Sequence, residues 1–299
     1  MTPSWKYPAI IGAFLSVLLV CYLLISPGSG YHPKVYDCFL FYNELELLEI
    51  RLNEMNDFVD KFVIVEACET FRGNPKPYYF EENQGRFKKF ADKIIHVKVD
   101  QHLATDNPWI RERYQRQQVL RGLKECRKND LVILSDVDEI VSRKRLPKII
   151  ELITSGKAQA VVCEQKMYQG FLNRYQDKWR GSVCTPYHVI KRISTKATRR
   201  LRNMRPRLME RTGITKITCL PDAGWHFTSM GGIDRHILKL ESYSHKEFDR
   251  PELKQAEKIL QVFRSHQWVK IDDSFPKHIV DNHSHYEDLG FIDKEEIAS

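Results

Sequence analysis

The chain of 299 residues carries 47 Lys and Arg against 39 Asp and Glu, a formal net charge of +8, and 42% of its residues are hydrophobic. A disordered chain would be less hydrophobic, and a collagen-like or low-complexity chain would hold far more than 14 Gly and 13 Pro. Length and composition therefore exclude these classes and predict one or two globular domains, each large enough to bury a substantial core.

An uncharged apolar run occupies residues 9–25, close to the N-terminus. A helix of that length, rising about 1.5 Å per residue, just crosses the hydrocarbon core of a bilayer. Lys6 precedes the run, and acidic residues outnumber basic ones after it, so we expect the N-terminus in the cytoplasm and the rest in the lumen of the secretory pathway. The alternative is a cleaved signal peptide, because small residues at 26–30 suit a cleavage site.

These features predict a single-pass type II membrane protein of the secretory pathway with one lumenal domain. The expected location is the Golgi membrane, and these features leave the endoplasmic reticulum open as the alternative. The expected parts are a cytoplasmic tail at residues 1–7, a transmembrane signal anchor at 8–25, a short stem at 26–32 and the lumenal domain at 33–299. Six cysteines follow the anchor, and their spacing leaves open whether they form disulfides or remain buried thiols.

Strand-like and helix-like patterns alternate along the predicted lumenal domain. Short apolar runs predict strands at residues 35–41, 61–66, 93–99, 131–135, 158–163, 214–220 and 225–228. Apolar residues at helical spacing predict helices at residues 44–55, 110–126, 146–153, 233–243 and 252–265. The pattern loosens between residues 164 and 211. Strands separated by helices indicate right-handed crossovers, so the predicted fold class is α/β with a mostly parallel central sheet.

The clearest chemical pattern is the acidic segment Asp136-Val137-Asp138-Glu139, which directly follows the apolar run at 131–135. In an open parallel sheet, ligands bind outside the carboxyl ends of the strands, where this segment would lie. Asp136 and Asp138 would point the same way because side chains alternate along extended backbone. Two such carboxylates suit Mg²⁺ or Mn²⁺, which bridges the phosphates of a nucleotide. The alternative is a polar turn that ends a buried strand.

Several segments of the chain resemble glycosyltransferase family 17. They are residues 36–51, residues 61–66 with Thr70-Phe71, and residues 94–97, 135–139 and 224–227, and the resemblance covers about residues 35–288. It implies a GT-A-like nucleotide-sugar-binding fold, UDP-N-acetylglucosamine as donor, a divalent metal (Mn²⁺, or else Mg²⁺) and inversion at the anomeric carbon. The activity that defines the family further implies transfer to a mannose of an N-glycan in β-1,4 linkage.

An inverting transfer needs a metal that neutralises the departing diphosphate. Asp136 and Asp138 are the expected metal ligands. His226, which lies between two aromatic residues in a short predicted strand, is expected either to contact the metal or the diphosphate, or to be a core histidine.

The same reaction needs a carboxylate base that takes the proton of the acceptor hydroxyl. Our first candidate is Asp234, which follows Gly231-Gly232 at the start of a predicted helix, where substrate could approach the backbone closely. The second candidate is Glu241 in the same helix. For each of them the alternative is a helix N-cap or a solvated helix acid.

The candidates for binding the donor nucleotide are four residues, Glu66, Arg113, Arg116 and Asp136. Glu66 ends a predicted strand at the same sheet edge as Asp136, and Arg113 and Arg116 lie on the helix before the acidic segment. Arg111 on that helix is expected on a solvated face. Trp179 and Trp225 either stack on sugar rings or belong to the core.

Residues 191–211 hold nine basic residues against one acidic residue, which by charge alone resembles a nucleic-acid-binding patch. The predicted lumenal location argues against a nucleic-acid partner, so we expect a solvated face or a lining that attracts the anionic donor.

Two other functions compete with the transferase. A lectin-like subunit would keep the fold without turnover. A phosphatase of the haloacid dehalogenase type would use Asp136 as a nucleophile, but its later motifs are not matched by Asp272-Asp273, which lacks a preceding apolar strand.

Overall fold

The computed structural model describes residues 32–294, and from Lys34 onward these belong to one compact unit. Within residues 32–294 no helix is both long and apolar enough to cross a membrane. The predicted cytoplasmic tail, signal anchor and nearly all of the stem lie outside the described residues, so their assignment stays a prediction.

The described residues form ten strands and a larger number of short helices. The strands are β1 (Val35–Phe41), β2 (Lys61–Ala67), β3 (Ile94–Val99), β4 (Leu131–Asp136), β5 (Glu139–Val141), β6 (Ala160–Gln169), β7 (Arg174–Pro186), β8 (Ile217–Leu220), β9 (Gly224–Thr228) and β10 (Gln267–Trp268). The α-helices are α1 (Leu45–Met55), α2 (Tyr79–Glu82), α3 (Pro108–Gln117), α4 (Val119–Gly122), α5 (Leu146–Thr154), α6 (Tyr187–Ile193), α7 (Thr195–Arg200), α8 (Pro206–Thr212), α9 (Gly232–Ser242), α10 (Ala256–Ser265), α11 (Lys277–Asp281) and α12 (His283–Asp288). Turns of 3₁₀ helix occur at Gln84–Lys93, Leu201–Asn203, Lys246–Phe248 and Pro251–Leu253.

All ten strands belong to one mixed sheet, which runs in the order β3-β2-β1-β4-β7-β6-β9-β5, with β8 beside β6 and β10 beside β7. The first four strands are parallel to one another. Strand β7 is antiparallel to both β4 and β6, and β5 is antiparallel to β9. The α/β class is therefore confirmed, while the prediction of a mostly parallel sheet holds for β1 to β4 and only in part for the other half, where β6 is parallel to β8 and β9 but antiparallel to β7.

Strand β1 lies in the middle of the parallel half, and each of its residues is buried. Its alternate side chains enter two different cores, with Phe39 packing on the side of α1 and Cys38 on the side of α4. A parallel strand that is covered on both faces has a continuous apolar sequence, which is why residues 35–41 could be predicted.

The loosely patterned segment at residues 164–211 contains the longest strand, β7, and the helices α6 and α7. The first half of β7 is largely exposed and polar, and its buried residues begin only at Gly181. Because half of the strand lacks an apolar run, periodicity gave no strand prediction there.

The predicted helix at residues 110–126 is instead two short helices, α3 and α4. Asn107 caps α3 by accepting a hydrogen bond from the Trp109 N–H, so the helix begins earlier than predicted. Gly122 ends α4 directly against β2, where a Cβ atom would lie 2.3 Å from Cγ1 of Val63. The glycine therefore allows the close approach of α4 to the sheet.

We expect Gly122→Ala to lower the free energy of unfolding by about 1–3 kcal/mol, because the added methyl group overlaps the buried Val63. Urea unfolding of the purified protein measures the change. Gly85→Ala is the matched control, since a Cβ atom there would meet nothing within 4 Å. Equal unfolding midpoints for the two variants would contradict the packing argument.

Candidate active site

A pocket of about 390 Å³ opens at the carboxyl ends of β1 and β4. Its wall includes Tyr42 just after β1, the acidic segment 136–139 after β4, Arg116 of α3 and Lys239 of α9. Ligands of α/β sheets bind at this edge, and the volume lies within the usual range of ligand pockets. The expected position of the acidic segment is thus the position that the structure shows.

Arg51 of α1 holds the backbone of the acidic segment through hydrogen bonds from the protein interior. Its side chain is fully buried and forms a bidentate ion pair with Asp37 of β1, with N···O distances of 2.6 and 2.7 Å. The Nη1 atom also donates to the carbonyl oxygens of Asp136 (2.9 Å) and Glu139 (2.8 Å). Nη2 further donates to the Ser135 hydroxyl. The turn after β4 therefore has its buried carbonyl groups satisfied by one guanidinium group.

Two arginines hold the carboxylate of Asp136. Arg116 donates to Oδ1 and Arg199 to Oδ2, both at 2.8 Å. Arg199 also donates to both carboxylate oxygens of Glu139, so it bridges the two acids. Burial opposes ionisation of Asp136, but Arg116 and Arg199 outweigh it and hold the pKa of this carboxyl well below its usual value.

Asp138 has different partners and faces the other side of the pocket. Lys239 Nζ lies 3.2 Å and His226 Nε2 lies 3.4 Å from its Oδ2 atom. Burial raises the pKa of Asp138, but Lys239 and then His226 outweigh burial and hold the pKa well below its usual value. The carboxylate is therefore ionised and paired with a lysine and an imidazole.

The pairing of β5 with β9 brings His226 to Asp138, because Glu139 lies opposite His226 in the register. Gly224 at the start of β9 makes this contact possible. Its φ of +144° is unfavourable for other residues, and a Cβ atom would lie 2.1 Å from the Ile140 carbonyl oxygen.

Asp138 and His226 offer one carboxylate and one imidazole, a donor pair that fits Mn²⁺ or Mg²⁺ when phosphate oxygens and water complete the coordination. The Nδ1 atom of His226 is buried without a hydrogen-bond partner, so this imidazole has a nitrogen that is not yet used. The ammonium group of Lys239 lies against Asp138, which shows that a positive charge is favoured at this carboxylate. In residues 32–294 no group of three or more His, Cys, Asp or Glu side chains is arranged for an ion. Because arginines hold both oxygens of Asp136, the geometry favours Asp138 with His226 over the predicted pair of Asp136 with Asp138.

Of the predicted donor-binding residues, Arg116 and Asp136 line the pocket, and Glu66 and Arg113 do not. Glu66 is fully buried, where it accepts the Phe80 N–H and contacts His96. Arg113 is exposed on α3. Its neighbour Arg111, expected on a solvated face, is instead buried beside Glu69.

The two residues predicted as the base, Asp234 and Glu241, are exposed on α9 and are not among the residues that line the pocket. Glu241 pairs with Lys254 at 2.7 Å. Gly231 and Gly232 have φ of +91° and +88° and turn the chain into α9. The glycine pair thus serves this turn, and its neighbour Asp234 points to solvent.

Glu44, which follows β1, is a pocket carboxylate that the sequence did not single out. Its Oε2 atom accepts the backbone N–H groups of Tyr42 (3.2 Å) and Asn43 (3.0 Å). Burial raises the pKa of Glu44, and Lys239 only partly opposes the increase. Among the acids of the pocket, Glu44 is therefore shifted in the opposite direction from Asp136 and Asp138.

Trp179 and Trp225, each expected either to stack on a sugar ring or to belong to the core, occupy different places in the structure. Trp179 lines the pocket, donates from Nε1 to Glu139 (2.8 Å) and lies with its ring centroid 4.9 Å from that of His226. Arg202 covers the same indole, 5.1 Å from its centroid. Trp225 is 6% exposed and belongs to the core. Arg199 and Arg202 come from the basic stretch at 191–211, so part of that stretch lines the site.

Residues 20–277 of the chain match the family described as glycosyltransferase family 17, which covers most of the chain. The chain belongs to glycosyltransferase family 17. The resemblance seen in the sequence is therefore confirmed, and the Asp136-x-Asp138 pocket is the candidate active site of a family 17 glycosyltransferase.

Relatives of this family 17 chain include the β-1,4-mannosyl-glycoprotein 4-β-N-acetylglucosaminyltransferases of Homo sapiens and Rattus norvegicus. Each is 33% identical over 109 residues, a region that spans 34% of this chain and 20% of the relative. Solved structures with a similar course include a mannosyltransferase from Pyrobaculum calidifontis with GDP-Man and Mn²⁺ (12% identity, 93% of this chain and 90% of that chain, TM-score 0.45). Another is S. aureus TarS 1-349 with UDP-GlcNAc (11% identity, 77% and 71%, TM-score 0.42).

We expect Arg51→Met to lower the free energy of unfolding by about 3–5 kcal/mol, because it leaves the Asp37 carboxylate buried without its partner. Denaturant unfolding measures the loss. The double variant Arg51→Met with Asp37→Leu should recover only part of the stability, since no buried charge is left alone but the carbonyl groups of Asp136 and Glu139 still lack their donor. A cost below about 1 kcal/mol for the single variant would contradict the role of Arg51.

Proposed function

We propose that the protein transfers N-acetylglucosamine from UDP-GlcNAc to a mannose of an N-glycan, in β-1,4 linkage and with inversion. Membership of family 17 and the names of the relatives support this proposal. The observation that carries it is the ionised Asp138 beside His226 and Lys239, in a pocket whose other side presents Arg116 and Arg202. Such a pocket suits a ligand that combines a diphosphate with a metal ion.

The cations of the pocket would bind the diphosphate of the donor. Arg116 and Arg202 present planar guanidinium groups, which match phosphate oxygens better than a single ammonium group does. Asp138 and His226 would hold the divalent ion, proposed to be Mn²⁺, which when bound neutralises charge on the departing diphosphate. Asp136 and Glu139 act indirectly, because they keep Arg199 and the turn after β4 in place.

We propose Glu44 as the base in place of Asp234 and Glu241. The acceptor hydroxyl oxygen forms a bond to the anomeric carbon as the bond from that carbon to the diphosphate oxygen breaks. The bonding electrons leave with UDP, and the hydroxyl proton passes to the carboxylate. A carboxylate with a raised pKa is a stronger base for this step, and Glu44 has that property within the pocket.

We also propose that residues 8–25 anchor the protein in the Golgi membrane and that the domain at 33–299 lies in the lumen. The apolar run, the charges on its two sides and the presence of N-glycan acceptors in that compartment support this orientation. A nucleic-acid partner is not part of the proposal.

The transferase proposal predicts Mn²⁺-dependent release of UDP from UDP-GlcNAc when the protein is given an N-glycan acceptor. Asp138→Asn should lower kcat/KM by on the order of 100-fold or more, because it weakens the stabilisation of developing charge. Asp281→Asn is the control, since Asp281 forms only a surface pair with Lys277. If the unmodified protein neither binds nor turns over UDP-GlcNAc, the lectin-like alternative takes its place.

Substitution of the proposed base separates Glu44 from the two acids of α9. Glu44→Gln should lower kcat by about 10²–10⁴-fold while UDP-GlcNAc binding persists. In the unmodified enzyme, activity should fall as pH decreases through the raised pKa of Glu44, because the protonated carboxyl group accepts no proton.

Asp234→Asn and Glu241→Gln are the companion variants, and both should keep their activity within about twofold because these side chains are exposed outside the pocket. A large loss in Asp234→Asn together with an active Glu44→Gln would return the base to α9.

A further inference from the structure

A second cavity, of about 560 Å³, lies beside the active-site pocket, between α9, α10 and the turns that connect them. Thr228, Lys239 and Tyr243 line both cavities. Lys239 donates to the Thr228 hydroxyl (3.0 Å) and to Asp138 (3.2 Å), so the wall between the cavities is also the edge of the proposed metal site. A ligand in the second cavity would therefore adjoin a donor bound in the first. We call this second cavity the α9–α10 groove.

Apolar side chains are unusually exposed along this groove. Phe248, Leu253 and Val262 are 45%, 43% and 50% exposed, and they are three of the seven large hydrophobic side chains exposed among residues 32–294. All three line the groove, together with the Tyr243 ring. A cluster of exposed aromatic and aliphatic groups next to an active site indicates a binding surface.

The groove is also lined by the half-buried imidazole of His236. The Nδ1 atom of His236 is buried without a hydrogen-bond partner, and the ring meets Phe263 edge-on at 5.1 Å. Burial, and then Lys239, lowers the pKa of His236 to about 4, so the imidazole is neutral near pH 7. A neutral imidazole accepts a hydrogen bond on one nitrogen and donates one from the other.

The charge of the groove matches a neutral ligand better than an anionic one. Its lining carries Glu252 against Lys239 and Lys258, and Lys239 is already paired with Asp138. By contrast, a separate cavity at Arg200, Arg205, Arg207 and Arg211 is strongly basic. Neutral pyranoses combine apolar C–H faces, which pack on aromatic rings, with hydroxyl groups that need donors and acceptors. The α9–α10 groove supplies both kinds of contact.

We propose that the α9–α10 groove binds the acceptor oligosaccharide, with an uncharged sugar ring on Phe248 and a sugar hydroxyl at His236. This inference rests on the proposed transferase function and adds the site for the second substrate. The reacting hydroxyl would then enter the active-site pocket past Thr228, on the side where Lys239 separates the cavities.

Three variants of the full-length protein test the groove. Phe248→Ala removes the ring, His236→Phe keeps a ring of similar shape but removes its nitrogens, and Val262→Trp fills part of the groove from an exposed position. Each should raise the KM for a free N-glycan by on the order of tenfold. The affinity for UDP-GlcNAc and its slow hydrolysis without acceptor should not change. Leu289→Ala is the matched control, because Leu289 is 45% exposed but lines neither cavity.

Unchanged acceptor KM in all three variants would overturn the proposal. So would an effect that occurs with a glycoprotein but not with the free glycan, since the groove would then bind polypeptide. If the unmodified protein has no transferase activity, binding of the free glycan is measured by calorimetry. Binding that is lost in Phe248→Ala and His236→Phe but kept in Leu289→Ala would support the groove even though the transferase proposal had failed, and absence of binding would reject both.

Discussion

The buried ion pair of Arg51 with Asp37 is the constraint on which the active-site edge depends. Both side chains are fully shielded from solvent, so removing their charges from water offsets much of what their attraction contributes. The pair mainly fixes the conformation of the turn after β4, because the same guanidinium group also donates to the carbonyl oxygens of Asp136 and Glu139. One side chain thus joins α1, β1 and the turn after β4. That turn can remain buried because its carbonyl groups have partners, and its shape directs Asp138 into the pocket.

The acids on this turn have different partners, and the difference suits different roles. Arginine binds Asp136 and Glu139 through several fixed N–H groups, which holds these carboxylates in one orientation. Asp138 is instead paired with Lys239, a single flexible charge that a metal ion could displace, and with His226. The crowding of like charges after β4 is therefore balanced by cations from α3, α7 and α9. The carboxylate that is held least rigidly is the one best placed to bind a ligand.

Elements and site residues are predicted well from the sequence where local pattern and sheet topology determine their positions. They are predicted less well where packing between residues far apart in the chain determines them. The strands β1, β2 and β4 are buried apolar runs and β3 is a partly buried one. The rule that ligands bind at carboxyl ends located the acidic segment correctly. Arg199 was not predicted as a partner of Asp136, because 63 residues separate them and the exposed half of β7 between them has no apolar pattern. Helix α9 was predicted, but not which of its faces meets the pocket. Asp234 and Glu241 are seven residues apart and share one face, whereas Lys239 lies on another.

One face of α9 adjoins both cavities that are proposed to bind the substrates. His236, Lys239 and Leu240 have the i, i+3 and i+4 spacing of one helix face. On that face Lys239 pairs with Asp138, while His236 and Leu240 line the mostly apolar α9–α10 groove. The proposed donor is an anionic nucleotide and the proposed acceptor is a neutral sugar, so the charged pocket and the mostly apolar groove would each suit one of them. The two cavities must still adjoin, because the reacting atoms have to come within bonding distance. A single lysine that lines both cavities meets this requirement, since its ammonium group is held by Asp138 and Thr228 while its helix packs beside the groove. In the proposed complex, the boundary at Lys239 would therefore place donor and acceptor on its two sides before any bond is made.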